Sequence, residues 1–578
     1  MIPLGYQHII MDDYDYSEYS DLLTIYKQSW IDNFSLPALT DYGSGKTLTY
    51  GEMARRIARL QLFYRQLGIR PGDKIALLGK NTTNWVIDFM GTITYGAVIV
   101  PILHDFNPAD AQHIINHSDA LVLFVSDSIW ENLNFDEMPG LRCVVSLENR
   151  KIITERSTTP DNATLTKTPA SRIIHNLTLS FNRKYKNGFR AADIDFEEQD
   201  PENVCVINYT SGTTGFSKGV MLTYRNLWGN VVFGIRSRLH YQGSRALSFL
   251  PLAHAYGCAF DMLVPLATGT HVTLLGKLPS PQLIVSAMKK VRPSLVICVP
   301  LVLEKIYRKM IVPMISSPAV RWVLAVPMLD KAVYARIRSK LVEAFGGSFE
   351  EVIIGGAPLN PEVEDFLLRI KFPFTVGYGM TECGPLISYV PWRRFEPRSS
   401  GRVLRGLMTA KIIAEDGSDQ GEICVKGVNV MKGYYKNPEA TEAVLDSDGW
   451  LHTGDMGTLG RPDHRTVFIR GRYKTMILTS NGQNIYPEEI EAKLNNMPYV
   501  AESLVIERNG HLVAIVYPDK ETAEANGLTA DSLGQIMEKN RQDLNKLVAP
   551  YERVESIELI DDEFVKTPKK SIKRYLYH

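Results

Sequence analysis

Short β-branched apolar runs alternate with amphipathic stretches along most of this chain. Residues 74–79 read as a strand, 83–96 as a helix and 98–103 as a strand, with further strand-like runs at 121–125 and 142–147. Strands separated by helices predict a parallel sheet. The same rhythm returns at 246–251, 271–276, 294–300, 351–355 and 374–378, with a helical stretch between each run and the next. The fold class is therefore α/β, with two wound lobes. Asn360-Pro361-Glu362 is a helix start, because asparagine caps free amides and proline at the first helical position gives up no hydrogen bond. Gly355 and Gly356 then lie at the carboxyl end of a strand, where open α/β sheets bind ligands.

After Arg398 the pattern changes to short strands and glycine turns, which predicts a small β subdomain. Beyond Arg472 a hairpin-like start, a helix opening at Pro487, two strands and a charged amphipathic helix read as a separate α+β unit of ordinary domain size. The expected division is a large N-terminal domain, 1–472, and a smaller mobile C-terminal domain, 473–578. Residues 152–188, rich in Ser, Thr and Asn, read as an exposed excursion.

Composition narrows the function classes. The chain has 578 residues, 45% of them hydrophobic, enough for several cores and roughly four domain-sized units. Lys plus Arg and Asp plus Glu each total 64, so no basic footprint points to nucleic acid as a partner. Cys143, Cys205, Cys258, Cys298, Cys383 and Cys424 lack the close pairing of a structural zinc site and mostly sit in apolar runs, which fits a reducing compartment. Residues 1–21 are acidic and tyrosine-rich rather than signal-like. The apolar stretch 86–103 is interrupted by Asp88 and glycines, short of a spanning helix. The expected location is cytoplasmic, with peripheral membrane contact through 311–328 as an alternative to a packed surface helix or loop.

Tyr209-Thr210-Ser211-Gly212-Thr213-Thr214-Gly215-Phe216-Ser217-Lys218-Gly219 follows a β-like run. Glycines let backbone amides turn inward, hydroxyls add donors and Lys218 adds a charge that can accompany a leaving phosphate. A solvent-exposed glycine turn is the alternative for such a stretch. The spacing is not that of a P-loop NTPase, and Val220-Met221-Leu222 reads as a returning strand before Thr223 caps a helix.

With this loop, further blocks appear in order: Pro251-Leu252-Ala253-His254, Gly377-Tyr378-Gly379-Met380-Thr381-Glu382, Asp448-Gly449-Trp450-Leu451-His452-Thr453-Gly454-Asp455, and Gly471-Arg472-Tyr473-Lys474 leading to Asn484-Ile485-Tyr486-Pro487-Glu488-Glu489. From about Thr47 onward the chain resembles the adenylate-forming superfamily of acyl-CoA synthetases, luciferases and peptide-synthetase adenylation domains. The resemblance implies ATP, Mg²⁺ and coenzyme A as cofactors and co-substrates. It implies a carboxylic acid substrate too, activated as an acyl-adenylate with loss of pyrophosphate. The stretch from Asn429 to Thr441 is most similar to medium- and long-chain fatty-acid ligases.

By the same resemblance Glu382 is expected to hold Mg²⁺ and Thr381 to contact the α-phosphate. Tyr378 and the backbone at Gly355, Gly356 and Ala357 would receive adenine, Asp455 and Arg472 the ribose, and His254 would line the carboxylate site. Lys474 occupies the hinge about which the C-terminal domain would turn. The closing motif departs from the family: strict register puts Ser571 where a lysine is expected, so Lys569 or Lys570 would have to reach the site, or adenylation is weakened. An acyl-carrier protein as acceptor, or a weakly catalytic nucleotide- and acyl-binding protein, are the alternatives.

Overall fold

The computed structural model describes residues 16–157, 166–210, 218–317, 320, 329–414, 418–460, 463, 465–472, 475–478, 484–508, 510–567 and 572–577. Ser211, Gly212, Thr213, Thr214 and Gly215 of the loop, Lys474 at the expected hinge, and Lys569, Lys570 and Ser571 lie outside the described residues.

Lys74–Leu78 is the hub of the first lobe, flanked by Val98–Ile102 on one side and Ala120–Val125 on the other, all parallel. All but the first of its residues are buried, as a strand covered on both faces requires. Thr82 caps the helix Thr83–Ile93 through its side chain. That helix stops short of residue 96 because Gly96, at φ +90°, turns the chain into the next strand. Val204–Thr210 extends the sheet, and Lys218–Thr223 returns antiparallel beside it. Thr223 then caps the helix Tyr224–Arg236 with a reciprocal capping box.

The polar stretch 152–188 is not simply an excursion. Ile152–Glu155 adds an antiparallel edge strand. The helix Ala170–Lys184 buries Ile173, Leu177 and Phe181, one stripe at a spacing of four, against the helix Tyr50–Leu67. Composition concealed that stripe because most of the other residues of the helix are polar.

In the second lobe Arg245–Ser248, His271–Leu274 and Pro37–Asp41 run parallel, as do Val296–Cys298, Val352–Ile354 and Phe374–Val376. The Ser294 amide donates to the Arg245 carbonyl at 2.8 Å and joins the two groups. Asn360 caps the helix Pro361–Arg369, accepting from the amides of Glu362 and Val363. The chain then enters a seven-stranded sheet that includes Met408–Ile413, Gln420–Gly427, Leu451–Gly460 and Thr466–Arg472.

Beyond residue 484 the helices Pro487–Leu494 and Ala530–Leu547 cover one face of the sheet Val500–Arg508, His511–Pro518 and Val554–Leu559. Ile490, Leu494, Val505, Val516 and Leu544 fill the core under the helices, and Leu504, Ile506 and Phe564 pack on the other face. Both clusters are separate from the continuous core that runs from Tyr16 to Val467.

Candidate active site

A cleft of about 2820 Å³ opens between the lobes, the β subdomain and the C-terminal unit, and Thr210, Lys218, His254, Glu382, Asp455 and Arg472 all line it. Thr210 and Lys218 are paired neighbours in the ladder, so the loop between them leaves and re-enters the sheet at one point on the cleft wall. The Lys218 ammonium sits 4.9 Å from the centre of the Tyr434 ring, in cation–π range. The Tyr434 hydroxyl donates to Glu382 Oε1 at 2.9 Å. Burial first, and then the Glu382 carboxylate, hold that hydroxyl above its usual titration range, so it stays a donor. Gly433–Tyr434 pairs with the Lys218 strand, and the Met431 amide donates to the Glu382 carbonyl at 2.8 Å. The segment after Met431 thus ties the loop's return strand to the Glu382 turn.

Thr381 and Glu382 form a short 3₁₀ turn after Tyr378-Gly379. Thr381 is buried. A Cβ on Gly379 would collide with the Pro385 carbonyl, so the tight approach needs glycine. The Tyr378 hydroxyl donates to Asp455 Oδ2 at 2.7 Å, and Arg472 Nε lies 3.0 Å from Asp455 Oδ1. Asp455 and Arg472 are direct partners across adjacent strands. Burial pushes the Asp455 carboxyl up while Arg472 opposes that shift, and Asp455 in turn raises Arg472. The expected reading of Tyr378 concerned its ring face. The structure adds that its hydroxyl fixes the ring to the Asp455 carboxylate.

Gly356 and Ala357 line the cleft, but Gly355 faces the Tyr256 ring, which a Cβ there would meet at 3.1 Å. His254 caps the turn Ala255–Cys258, its Nδ1 accepting from the Tyr256 amide at 3.4 Å. It stands between the cleft and an apolar recess of about 50 Å³ walled by Leu239, Tyr256, Phe260, Leu386 and Tyr389.

The C-terminal unit reaches the same cleft with Lys566 and Arg574. Lys566 pairs with Glu502 at 2.8 Å and Arg574 with Glu491 at 2.5 Å. Glu488, at the start of the helix Pro487–Leu494, accepts from the Thr475 hydroxyl at 2.6 Å and lies 3.6 Å from Arg574.

Residues 32–435 match the model of the AMP-binding enzyme family. The chain belongs to that family. Among curated relatives, this AMP-binding protein is 27% identical over 496 residues to the long-chain-fatty-acid–CoA ligase ACSBG1 of Rattus norvegicus, covering 79% of the chain and 64% of that relative's length. It is 30% identical over 488 residues to 4-coumarate-CoA ligase 1 of Narcissus pseudonarcissus, covering 81% and 78% respectively. Among solved structures, ATP-bound MatB of Rhodopseudomonas palustris superposes with a TM-score of 0.72 at 21% identity, covering 96% of this chain and 98% of MatB. At that identity the likeness establishes the fold.

Within this AMP-binding protein the structure brings Lys218, Thr381, Glu382, Tyr378, Asp455 and Arg472 to one cleft. Sequence reasoning missed Tyr434 as a contact of both Lys218 and Glu382. The signal was present in the Asn429 to Thr441 block, which carried only a hint about chain length. No helix among the described residues is long and apolar enough to cross a membrane. Of the apolar stretch 311–328, Ile311 is buried and Val312 and Ile315 pack against the main core.

Proposed function

We propose that this protein activates a carboxylic acid with ATP as an acyl-adenylate and passes the acyl group to coenzyme A. The observation that carries this reading is the pairing of two contact chains in one cleft. One is Tyr378 to Asp455 to Arg472, and the other is Lys218 to Tyr434 to Glu382. The first is suited to a nucleoside, since the Asp455 carboxylate can accept from paired ribose hydroxyls. The second places a cation and a carboxylate at the mouth of the hydroxyl- and glycine-rich loop, where a triphosphate would lie.

Glu382 suits a Mg²⁺ ligand, because Tyr434 occupies Oε1 and Oε2 takes no hydrogen bond from another described residue. Bound there, the ion would supply charge neutralisation at the phosphates. Thr381 would orient the α-phosphate and Lys218 would balance the charge of departing pyrophosphate. Lys569 or Lys570 is proposed as the cation supplied by the closing segment. The boundary near residue 472 is proposed as the hinge between two working orientations, with separate apolar cores on either side in support.

His254 would hold the acid's carboxylate at the neck of the apolar recess. A medium- or long-chain fatty acid is the proposed substrate, supported by the Rattus norvegicus relative. The recess of about 50 Å³ holds little more than a water or two, so a long chain requires the Tyr256, Phe260 or Tyr389 ring to turn aside. The test is acid-dependent pyrophosphate exchange and AMP release across fatty, benzoic and cinnamic acids. Fatty acids should be turned over best, and Glu382→Ala should lower exchange by at least about a hundredfold. Activation of aromatic acids alone would overturn the fatty-acid assignment, and absence of exchange with every acid would overturn adenylation.

A further inference from the structure

Away from the phosphate and ribose contacts, three side chains of metal-ligating type converge on the β subdomain. Glu422 and Cys424 stand two apart on the strand Gln420–Gly427, so they project from the same face. Cys424 is the direct ladder partner of His452, whereas Glu422 pairs with Met456. The extra residues on the His452 strand form a bulge, a device that re-aims side chains beside functional sites. Here it turns His452 onto Glu422 and Cys424 just ahead of Asp455.

His452 Nδ1 lies 2.8 Å from Glu422 Oε2 and 3.5 Å from Cys424 Sγ. All three candidate ligand atoms fall within 4.8 Å of one another. Ordinary zinc bond lengths in a tetrahedron separate N from S by about 3.5 Å and N from O by about 3.3 Å. The N–S spacing already fits, and the N–O spacing needs to open by roughly half an ångström. Glu422 Oε1 meanwhile accepts from the Gly454 amide at 2.9 Å, so the carboxylate is anchored while Oε2 points at the imidazole. Glu422 and His452 both line the cleft, which leaves a fourth position for water.

We propose that Glu422, Cys424 and His452 form a binding site for a thiophilic divalent cation of the Zn²⁺ class, separate from the Mg²⁺ position at Glu382. The mixed thiolate, imidazole and carboxylate set selects against Mg²⁺, which takes oxygen ligands and keeps its waters. Binding forms bonds to the Cys424 sulfur, His452 Nδ1 and Glu422 Oε2; the thiol proton leaves to solvent and the proton shared between Nδ1 and Oε2 moves to Nε2 of the imidazole, so affinity rises with pH. A bound cation would also stiffen the segment from His452 to Asp455 that presents the ribose carboxylate.

The full chain, freed of metal by chelator, is titrated with Co²⁺ and then Zn²⁺ while thiolate-to-cobalt absorption is recorded. One equivalent of Co²⁺ should produce the band and Zn²⁺ should abolish it, while excess Mg²⁺ leaves it intact. Cys424→Ala should lose the band, and Glu422→Gln and His452→Asn should each weaken Co²⁺ binding by at least about tenfold. Glu422→Gln keeps an acceptor for the Gly454 amide, so it reads ligation without dismantling the turn, and circular dichroism checks folding of each variant. Absence of the band in the parent protein would overturn the site. So would a full-strength band in Cys424→Ala, or unchanged affinity in both Glu422→Gln and His452→Asn.

Discussion

On the N-terminal side of the cleft the candidate groups touch one another: Tyr378 holds Asp455, Asp455 holds Arg472, and Tyr434 joins Lys218 to Glu382. On the C-terminal side Lys566 and Arg574 point into the same cleft but pair with Glu502 and Glu491 of their own unit. The C-terminal unit also meets the body through polar contacts. Asn360 and Asn496 exchange side-chain hydrogen bonds, Arg308 donates to the Asn495 carbonyl, and Arg470 pairs with Glu489. One wall is fixed by its own side chains within a continuous core. The other has an apolar core of its own and meets its neighbour through contacts that water can replace at little cost. A nucleotide site gains from the first arrangement and a domain that must turn gains from the second.

The largest effect should come from breaking the fixed wall. Asp455→Ala removes the partner of both the Tyr378 hydroxyl and Arg472, and losing a buried acceptor of this kind costs about 1–3 kcal/mol. ATP affinity in pyrophosphate exchange should fall by about ten- to a hundredfold, with binding of the acid almost unchanged. Equal losses for ATP and acid would mean that Asp455 supports the fold generally rather than the nucleotide.

A smaller, directional effect is expected at the proposed hinge. Lys474→Pro restricts φ at one residue and should trap one orientation of the C-terminal unit. Adenylation and thioester formation from supplied acyl-adenylate should then differ in their losses by about tenfold. Parallel losses would make the two walls a single rigid assembly and erase the distinction between them.

Periodicity carried most of the fold, because buried parallel strands such as Lys74–Leu78 are short continuous apolar runs, distinguished by their length from buried helices such as Thr83–Ile93. It did not reveal that Pro37–Asp41, far upstream, pairs with His271–Leu274 of the second lobe, since pairing at such separation leaves no local mark. The site was legible where a motif is a local device, as at Asn360 or the Thr381 turn. It was not legible where function rests on a cross-strand meeting. Tyr434 meets Glu382, and Cys424 meets His452, only because the sheets bring distant segments into register.

The remaining prediction separates the walls by pH. Glu351 is buried in the body with neutral partners, the Tyr389 hydroxyl and the Trp392 amide, and burial pushes its carboxyl up to about 7. Glu491 in the C-terminal unit is pushed up to about 7 as well, burial outweighing the Arg574 guanidinium that opposes the shift, so each wall carries one such carboxyl with different partners. A carboxyl whose folded value lies above its unfolded value binds more protons in the folded state, so it favours folding at low pH. That advantage is lost as pH rises from about 4.5 to about 7. The body's resistance to urea should therefore decline over that window, by no more than about 3 kcal/mol from this group. Glu351→Gln mimics the protonated acid, since the amide can accept from the Trp392 amide while donating toward Tyr389. The variant should lose this group's share of the slope and gain relative stability above pH 7, whereas Glu491→Gln should chiefly destabilise the C-terminal unit by removing the nearer of the two carboxylates beside Arg574. An unchanged slope of the body's urea resistance in Glu351→Gln would overturn the assignment to Glu351, and a gain in the C-terminal unit's stability at neutral pH in Glu491→Gln would mean that Arg574 gives its carboxylate no net support.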